Sequence, residues 1–240
     1  MTSPSALNFF EHLEELRKRI LIGLGALLAG TLLGYLGSNR ALEFLLSPIL
    51  GQIGEAYFFS PAEGLLVKLK VALFVGTLIS SPILFWQFWL FVSPAFYQKE
   101  KWFFLFLVGV TAALFVCGAL FSFYVVLPPA LRFFVGMRTP YLKPMISVTE
   151  YVSFLSGMSL AFGVAFNLPV VLLGLTRAGI LNGRMLRQYR RHAVVLIFIA
   201  AAILTPGPDI ASQLMLAAPL FVLFEASVLL TGIFEPGKKR

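Results

Sequence analysis

The stretch FFEHLEELRKR, residues 9–19, runs without a break into ILIGLGALLAGTLLGYLG, residues 20–37. The first segment gathers three carboxylates and three cations; the second carries no charge. An uncharged run of this length meets the requirement for a helix crossing a hydrocarbon core of ~30 Å, so this junction reads as the edge of a membrane. Written as a helix, Phe9, Leu13, Leu16 and Ile20 form one apolar stripe, with His12, Glu15 and Arg19 on the neighbouring face. A helix of that kind is expected to lie along a bilayer surface. A plainer account is that Glu14 with Lys18 and Glu15 with Arg19 are ordinary i, i+4 pairs, and that Arg17, Lys18 and Arg19 only set the orientation. On these residues alone both accounts stay open.

Outward from the junction, residues 65–92, 102–127 and 148–175 are further apolar blocks of spanning length. Residues 192–204 are apolar but would reach only ~20 Å as a helix, and the breaker run TPGPD at 205–209 separates them from a last block at 210–233. The expectation is an all-α polytopic membrane protein of six transmembrane helices in one domain, residues 1–240, with a tail at 1–19 and a basic tail at 234–240. Prolines punctuate the blocks. Pro82 and Pro94 should bend the second span, Pro128 and Pro129 end the third, Pro169 interrupt the fourth and Pro219 the sixth, because each removes a backbone donor. The bundle is therefore expected to be bent and concave, like a cup. With alternating spans, thirteen of the nineteen Lys and Arg fall on one side and six on the other, so both termini are expected to be cytoplasmic.

Composition agrees. With 59% hydrophobic and 12% charged residues and a mean hydropathy of +0.89, the chain lacks the polar surface of a soluble globule. The net charge of +8 sits at the flanks of apolar runs, where orientation and anionic lipid account for it without nucleic acid. Polar and acidic residues precede the first apolar run, so it is expected to stay as an anchor and not to be cleaved as a signal peptide. The single Cys117, inside VTAALFVCGALF, permits no disulfide and is expected to pack as a small hydrophobe. His12 and His192 are far apart without other ligands at metal spacing, so neither a metal nor another cofactor is expected.

Function should reside in polar groups that spans tolerate only for a reason. These are Gln87, Asn167, Asp209, Gln213 and Glu225. Hydrogen bonds between helices are the plain explanation, but Glu225 must be paired, protonated or close to the headgroups. Glu100, in FYQKEKW at 96–102, is held at the membrane surface by the start of the third span, on the side of the tail that carries Glu15. There is no nucleotide-binding glycine loop, no HExxH and no GxSxG. Ser212 and Asp209 have no histidine nearby in sequence, so a hydrolase is not expected.

Five segments, in order, resemble the TatC family, the multispanning receptor subunit of the twin-arginine protein translocase. They are HLEELRKR at 12–19, FFSPAEGLLVKLK at 58–70, SPILFWQFWLFVSPAFYQKEK at 81–101, AFGVAFNLPVV at 161–171 and LTPGPDIASQLMLAAPLFVLFE at 204–225. The resemblance implies a protein of the bacterial cytoplasmic membrane that receives folded cargo through signal peptides bearing two consecutive arginines. It implies that Glu15 and Glu100 bind that pair, with Leu16 and Arg17 in the same motif, and that Pro48, Phe59, Pro61 and Glu63 belong to the first outside loop. It further implies the single-span partners TatA and TatB, contacted near Asp209 and Gln213, together with membrane lipids, oligomerisation, and transport driven by the proton gradient. The chemistry is consistent, since a guanidinium forks onto a carboxylate in a way that an ammonium cannot copy. One departure stands out: Asn167 occupies a position where the family most often has Glu. The rival reading is a small-solute secondary transporter, which would call for paired discontinuous helices in two related halves, and no internal repeat is visible.

Overall fold

Backbone in hydrocarbon must satisfy its own hydrogen bonds, and this chain does so as helices. The computed structural model describes residues 4–53, 56–92, 101–136, 141, 145–177, 183–204 and 210–234, and among them are ten α-helices and no strand, only an isolated bridge between Tyr57 and Ser147. Four stretches are long and apolar enough to cross a membrane: Leu13–Leu36, Glu63–Phe91, Leu105–Gly136 and Val148–Thr176. The protein is a multi-pass membrane protein.

The first helix, α1, runs unbroken over Pro4–Leu36. The tail expected along the bilayer surface is thus a coaxial extension of the first span. FFEHLEELRKR contains no Gly or Pro to stop a helix, and continuing one is easier than nucleating another. After Gly37 a helix left unassigned by periodicity follows, α2, at Ser38–Ile53 with Pro48 inside it. Pro48 cannot donate to the carbonyl four residues back; the Ser47 hydroxyl donates to that Phe44 oxygen instead, at 2.7 Å. The same device recurs in α3, Glu63–Val92, where Ser81 donates at 2.8 Å to the Leu78 carbonyl that Pro82 leaves open.

The third apolar block differs from expectation. Helix α4, Lys101–Phe121, passes through a π-helical turn at Ser122–Val126 into α5, Leu127–Gly136. Pro128 and Pro129 therefore do not end it. Leu127 N–H reaches back five residues to Ser122 O, and this wider turn takes up the two missing donors that follow. Helix α6, Val148–Phe166, starts at an N-cap, Ser147 Oγ accepting from Glu150 N–H at 3.4 Å, and stops at Asn167. Helix α7, Leu168–Arg177, then carries Pro169 in its first turn, where no donor is needed. A short α8, Gly183–Gln188, leads to α9, Arg190–Leu204, and α10, Ile210–Phe234. At fifteen residues, α9 is about 22 Å long.

Packing begins with the antiparallel pair α1 and α3. Their seam is made of small residues four apart: Gly30 and Gly34 on α1, Ala72, Gly76 and Ser80 on α3. A Cβ on Gly76 would lie 2.6 Å from Thr31 Cα, and one on Gly34 2.6 Å from Ala72 O, so the backbones touch in the manner of small-residue membrane interfaces. Ser80 Oγ donates across the seam to Ala26 O at 2.8 Å. Only 17% of the apolar window of α1 is buried; it leans chiefly on α3. The central core lies further on, around Phe162, Leu155, Met158 and Leu127 with Val67 and Val71. Gly118 brings α4 against Gly163 of α6, which leaves Cys117 on the exposed face of α4 and not packed as expected.

At the other end of the α1–α3 pair the connecting segments are tied down. Val148 N–H donates to Tyr57 O at 3.1 Å, and Tyr57 N–H to Ile146 O at 3.3 Å. The buried Tyr151 hydroxyl donates to Leu45 O at 2.9 Å, fixing α6 to α2.

Candidate functional site

Glu15 and Arg19 stand four positions apart on α1, about one helical turn, so the two side chains meet on one face. Because α3 runs back alongside, the seam that aligns Gly34 with Ala72 also carries Gln87 to the level of Arg19. One Arg19 terminal nitrogen donates to Glu15 Oε1 at 3.0 Å and the other to Gln87 Oε1 at 3.3 Å. The Arg19 Nε is buried with no partner among the described residues. The result is a polar clasp between two helices whose other neighbours are apolar.

Beneath the clasp lies a groove of about 320 Å³, walled by Leu16, Ile20, Leu24 and Leu27 of α1 and by Leu84, Phe88 and Phe91 of α3. That is at the lower end of ligand-sized sites, ~300–1,000 Å³. Gly23 supplies its floor. The stripe expected to face lipid thus contributes Leu16 and Ile20 to a cleft. Chemically, the arrangement joins a guanidinium-binding carboxylate to an apolar trough. Among the described residues Glu15 uses one oxygen only, leaving Oε2 without a hydrogen bond. Arg17 is exposed and does not line the groove.

The remaining candidates are dispersed. Glu100 and Asp209 lie outside the described residues. Pro48, Phe59, Pro61 and Glu63 are at the far end of the α1–α3 pair, where Glu63 Oε2 accepts from Phe59 N–H at 3.0 Å and Glu63 N–H donates to Ser60 O at 3.1 Å. These two bonds fix the start of α3. Asn167, buried in the break between α6 and α7, donates from Nδ2 to Gly163 O at 3.0 Å, while its Oδ1 has no partner among the described residues. Gln213 Nε2 donates to Phe198 O at 2.9 Å, joining α10 to α9. Glu225 is paired, its Oε2 2.7 Å from a terminal nitrogen of Arg190 at the start of α9.

Two partners escaped sequence reasoning. Arg190 read only as an orienting cation, and the contact between Arg19 and Gln87 spans 68 residues, so no local spacing signals either. The small-residue seam did leave a signal, glycines four apart in α1 facing small residues four apart in α3.

Comparison with known proteins agrees with this geometry. The sequence profile of the family described as Sec-independent protein translocase protein (TatC) matches residues 11–219. The protein of that name from Carboxydothermus hydrogenoformans is 37% identical over 230 residues, covering 96% of this chain and 95% of that protein. The one from Aquifex aeolicus is 38% identical, covering 95% and 96%. Among solved structures, a crystal structure of the twin arginine translocase receptor TatC superposes with a TM-score of 0.84 at 37% identity, covering 92% of this chain and 98% of the other. Sequence and helix arrangement therefore agree over nearly the whole length, and the chain belongs to the TatC family of Sec-independent protein translocase proteins.

Proposed function

We propose that this protein is the receptor and scaffold of a twin-arginine translocation system in the bacterial cytoplasmic membrane. Glu15, with Leu16 and Arg17 in the same motif, receives one arginine of the signal peptide; Glu100 receives the other. The apolar segment of the signal lies along the groove between α1 and α3. The chain crosses six times with both termini cytoplasmic, forms a concave bundle, assembles as an oligomer with TatA and TatB near Asp209 and Gln213, and supports export driven by the proton gradient. The observation that carries this reading is the clasp itself: Glu15 already holds a guanidinium at 3.0 Å at the mouth of an apolar groove. A carboxylate in such a place is suited to a ligand that joins arginine to a hydrophobic run, because charge-assisted hydrogen bonds and apolar burial then act together.

The rival transporter reading would need two related broken helices; the break at Asn167 is one, and membership of the TatC family argues for cargo proteins in place of solutes. A photo-crosslinking twin-arginine peptide added to the purified protein should label residues near Glu15 and Glu100. Changing both peptide arginines to lysine should abolish labelling, and Glu15→Gln or Glu100→Gln should lower affinity about tenfold or more, the loss of one charge-assisted pair at about 1.5–3 kcal/mol. Equal labelling by the lysine peptide would overturn the receptor assignment.

A further inference from the structure

Glu15 is not vacant in the absence of a peptide. Arg19, a residue of the same chain, sits on it through one nitrogen and one oxygen, keeps Gln87 on its other terminal nitrogen, and has its Nε buried beside the groove. We propose that Arg19 is a built-in competitor for Glu15: it occupies the carboxylate until a signal arginine displaces it, and Gln87 retains the displaced guanidinium. Arg19 and Gln87 together then set how well a cationic side chain must bind before it is accepted. The premise is Glu15 as the ligand of a signal arginine; the competitor role is additional to it.

The geometry supplies a threshold. Without Arg19, Glu15 would be an unpaired carboxylate at the edge of an apolar trough, open to any cation. With Arg19 in place, a newcomer must replace an existing hydrogen bond. A lysine is a point charge and would exchange one single contact for another. An arginine can fork across Oε1 and Oε2, the second of which is unused among the described residues, and so gains a bond in the exchange. Arg19 does not need to travel. Gln87 Oε1 is already 3.3 Å from its other nitrogen, so rotation of the side chain within its rotamers releases the carboxylate and leaves α1 unmoved. Arg19 in this sense sets the threshold that an incoming cation must exceed, and Gln87 is a positioning residue.

The experiment measures the affinity of a fluorescent twin-arginine signal peptide and its twin-lysine counterpart for the full chain in nanodiscs. In Arg19→Gln both peptides should bind more tightly by a common factor of about threefold to tenfold, because the competent fraction of Glu15 rises for either ligand. Gln87→Leu should weaken arginine-peptide binding severalfold, since Arg19 then has no second acceptor, and should have no effect once Arg19 is already Gln. Unchanged affinities in Arg19→Gln, or a loss for both peptides, would overturn the competitor role. An equal effect of Gln87→Leu in both backgrounds would do the same, and where Arg19→Gln inserts poorly, Gln87→Leu in the otherwise unaltered chain decides alone: unchanged arginine-peptide affinity there overturns the role. Glu15→Gln separates the two levels: if it leaves arginine-peptide affinity intact, the receptor site itself is wrong; if it abolishes binding while neither affinity rises in Arg19→Gln, only the competitor fails.

Discussion

Glu225 illustrates how a single charge is managed near a membrane. Its carboxylate lies in the second half of α10 and meets Arg190 at 2.7 Å, with side chains 25% and 44% exposed. That exposure admits water, so the pair should contribute modestly, about 0.2–1 kcal/mol as a coupling energy. A double-mutant cycle of Glu225→Gln and Arg190→Gln, read by thermal unfolding in detergent, should return a coupling in that range; a coupling near zero would show that the contact does not stabilise the fold. The need for a partner was legible in the sequence, because a carboxylate in an apolar run has few tolerable states. Which arginine it would be was not, since the two are 35 residues apart and meet only where α9 packs on α10. The same holds for Arg19 and Gln87. Asn167 is the reverse case, a residue singled out by its polarity whose Oδ1 remains without a partner among the described residues.

Elements were more legible than contacts. The long apolar blocks are helices because a helix satisfies its own backbone hydrogen bonds in lipid, and four helical stretches stand out by length and composition alone. Where the reading failed, a proline misled it. Pro128 and Pro129 suggest a terminus, yet a π turn just before them lets the helix continue to Gly136; Pro48 and the mixed polarity of SNRALEFLLSPILGQI concealed α2, which a neighbouring serine makes tenable. The seam between α1 and α3 gives a sharp prediction. In Gly76→Leu the new side chain has no room beside Thr31, and overpacking of this kind costs about 1–3 kcal/mol; the unfolding midpoint should fall, whereas Gly25→Leu, with nothing within 4 Å, should leave it unchanged. A similar drop in both would remove the seam as the cause. Helix α9 offers another test. At about 22 Å it is shorter than a ~30 Å core, and mismatch costs fractions of a kcal/mol per Å. Inserting one apolar turn after Ile199, about 5 Å, should reduce export while signal-peptide affinity stays constant; full export would count against a role for its shortness.

For the molecule as a whole, orientation is the property that composition addresses most directly, since alternation of the six proposed spans would put thirteen cations on one side against six on the other. In a Cys117→Ser background, a cysteine at Lys18 should react with a membrane-impermeant maleimide only after the membrane is opened. One at Tyr141, which is 95% exposed, should react in intact cells. The opposite pattern would reverse the topology. The small-residue contact of α1 with α3 bears on how the chain is made. Everything in the clasp and the trough beneath it lies between Glu15 and Phe91, and the two helices that carry it precede α6 and α10 in the chain. Because they close on each other through residues near in sequence, their pairing does not wait for α6 or α10. The end proposed to read arginine is thus assembled before α6 and α10 are made, and these later helices dock onto a hairpin already holding its own arginine.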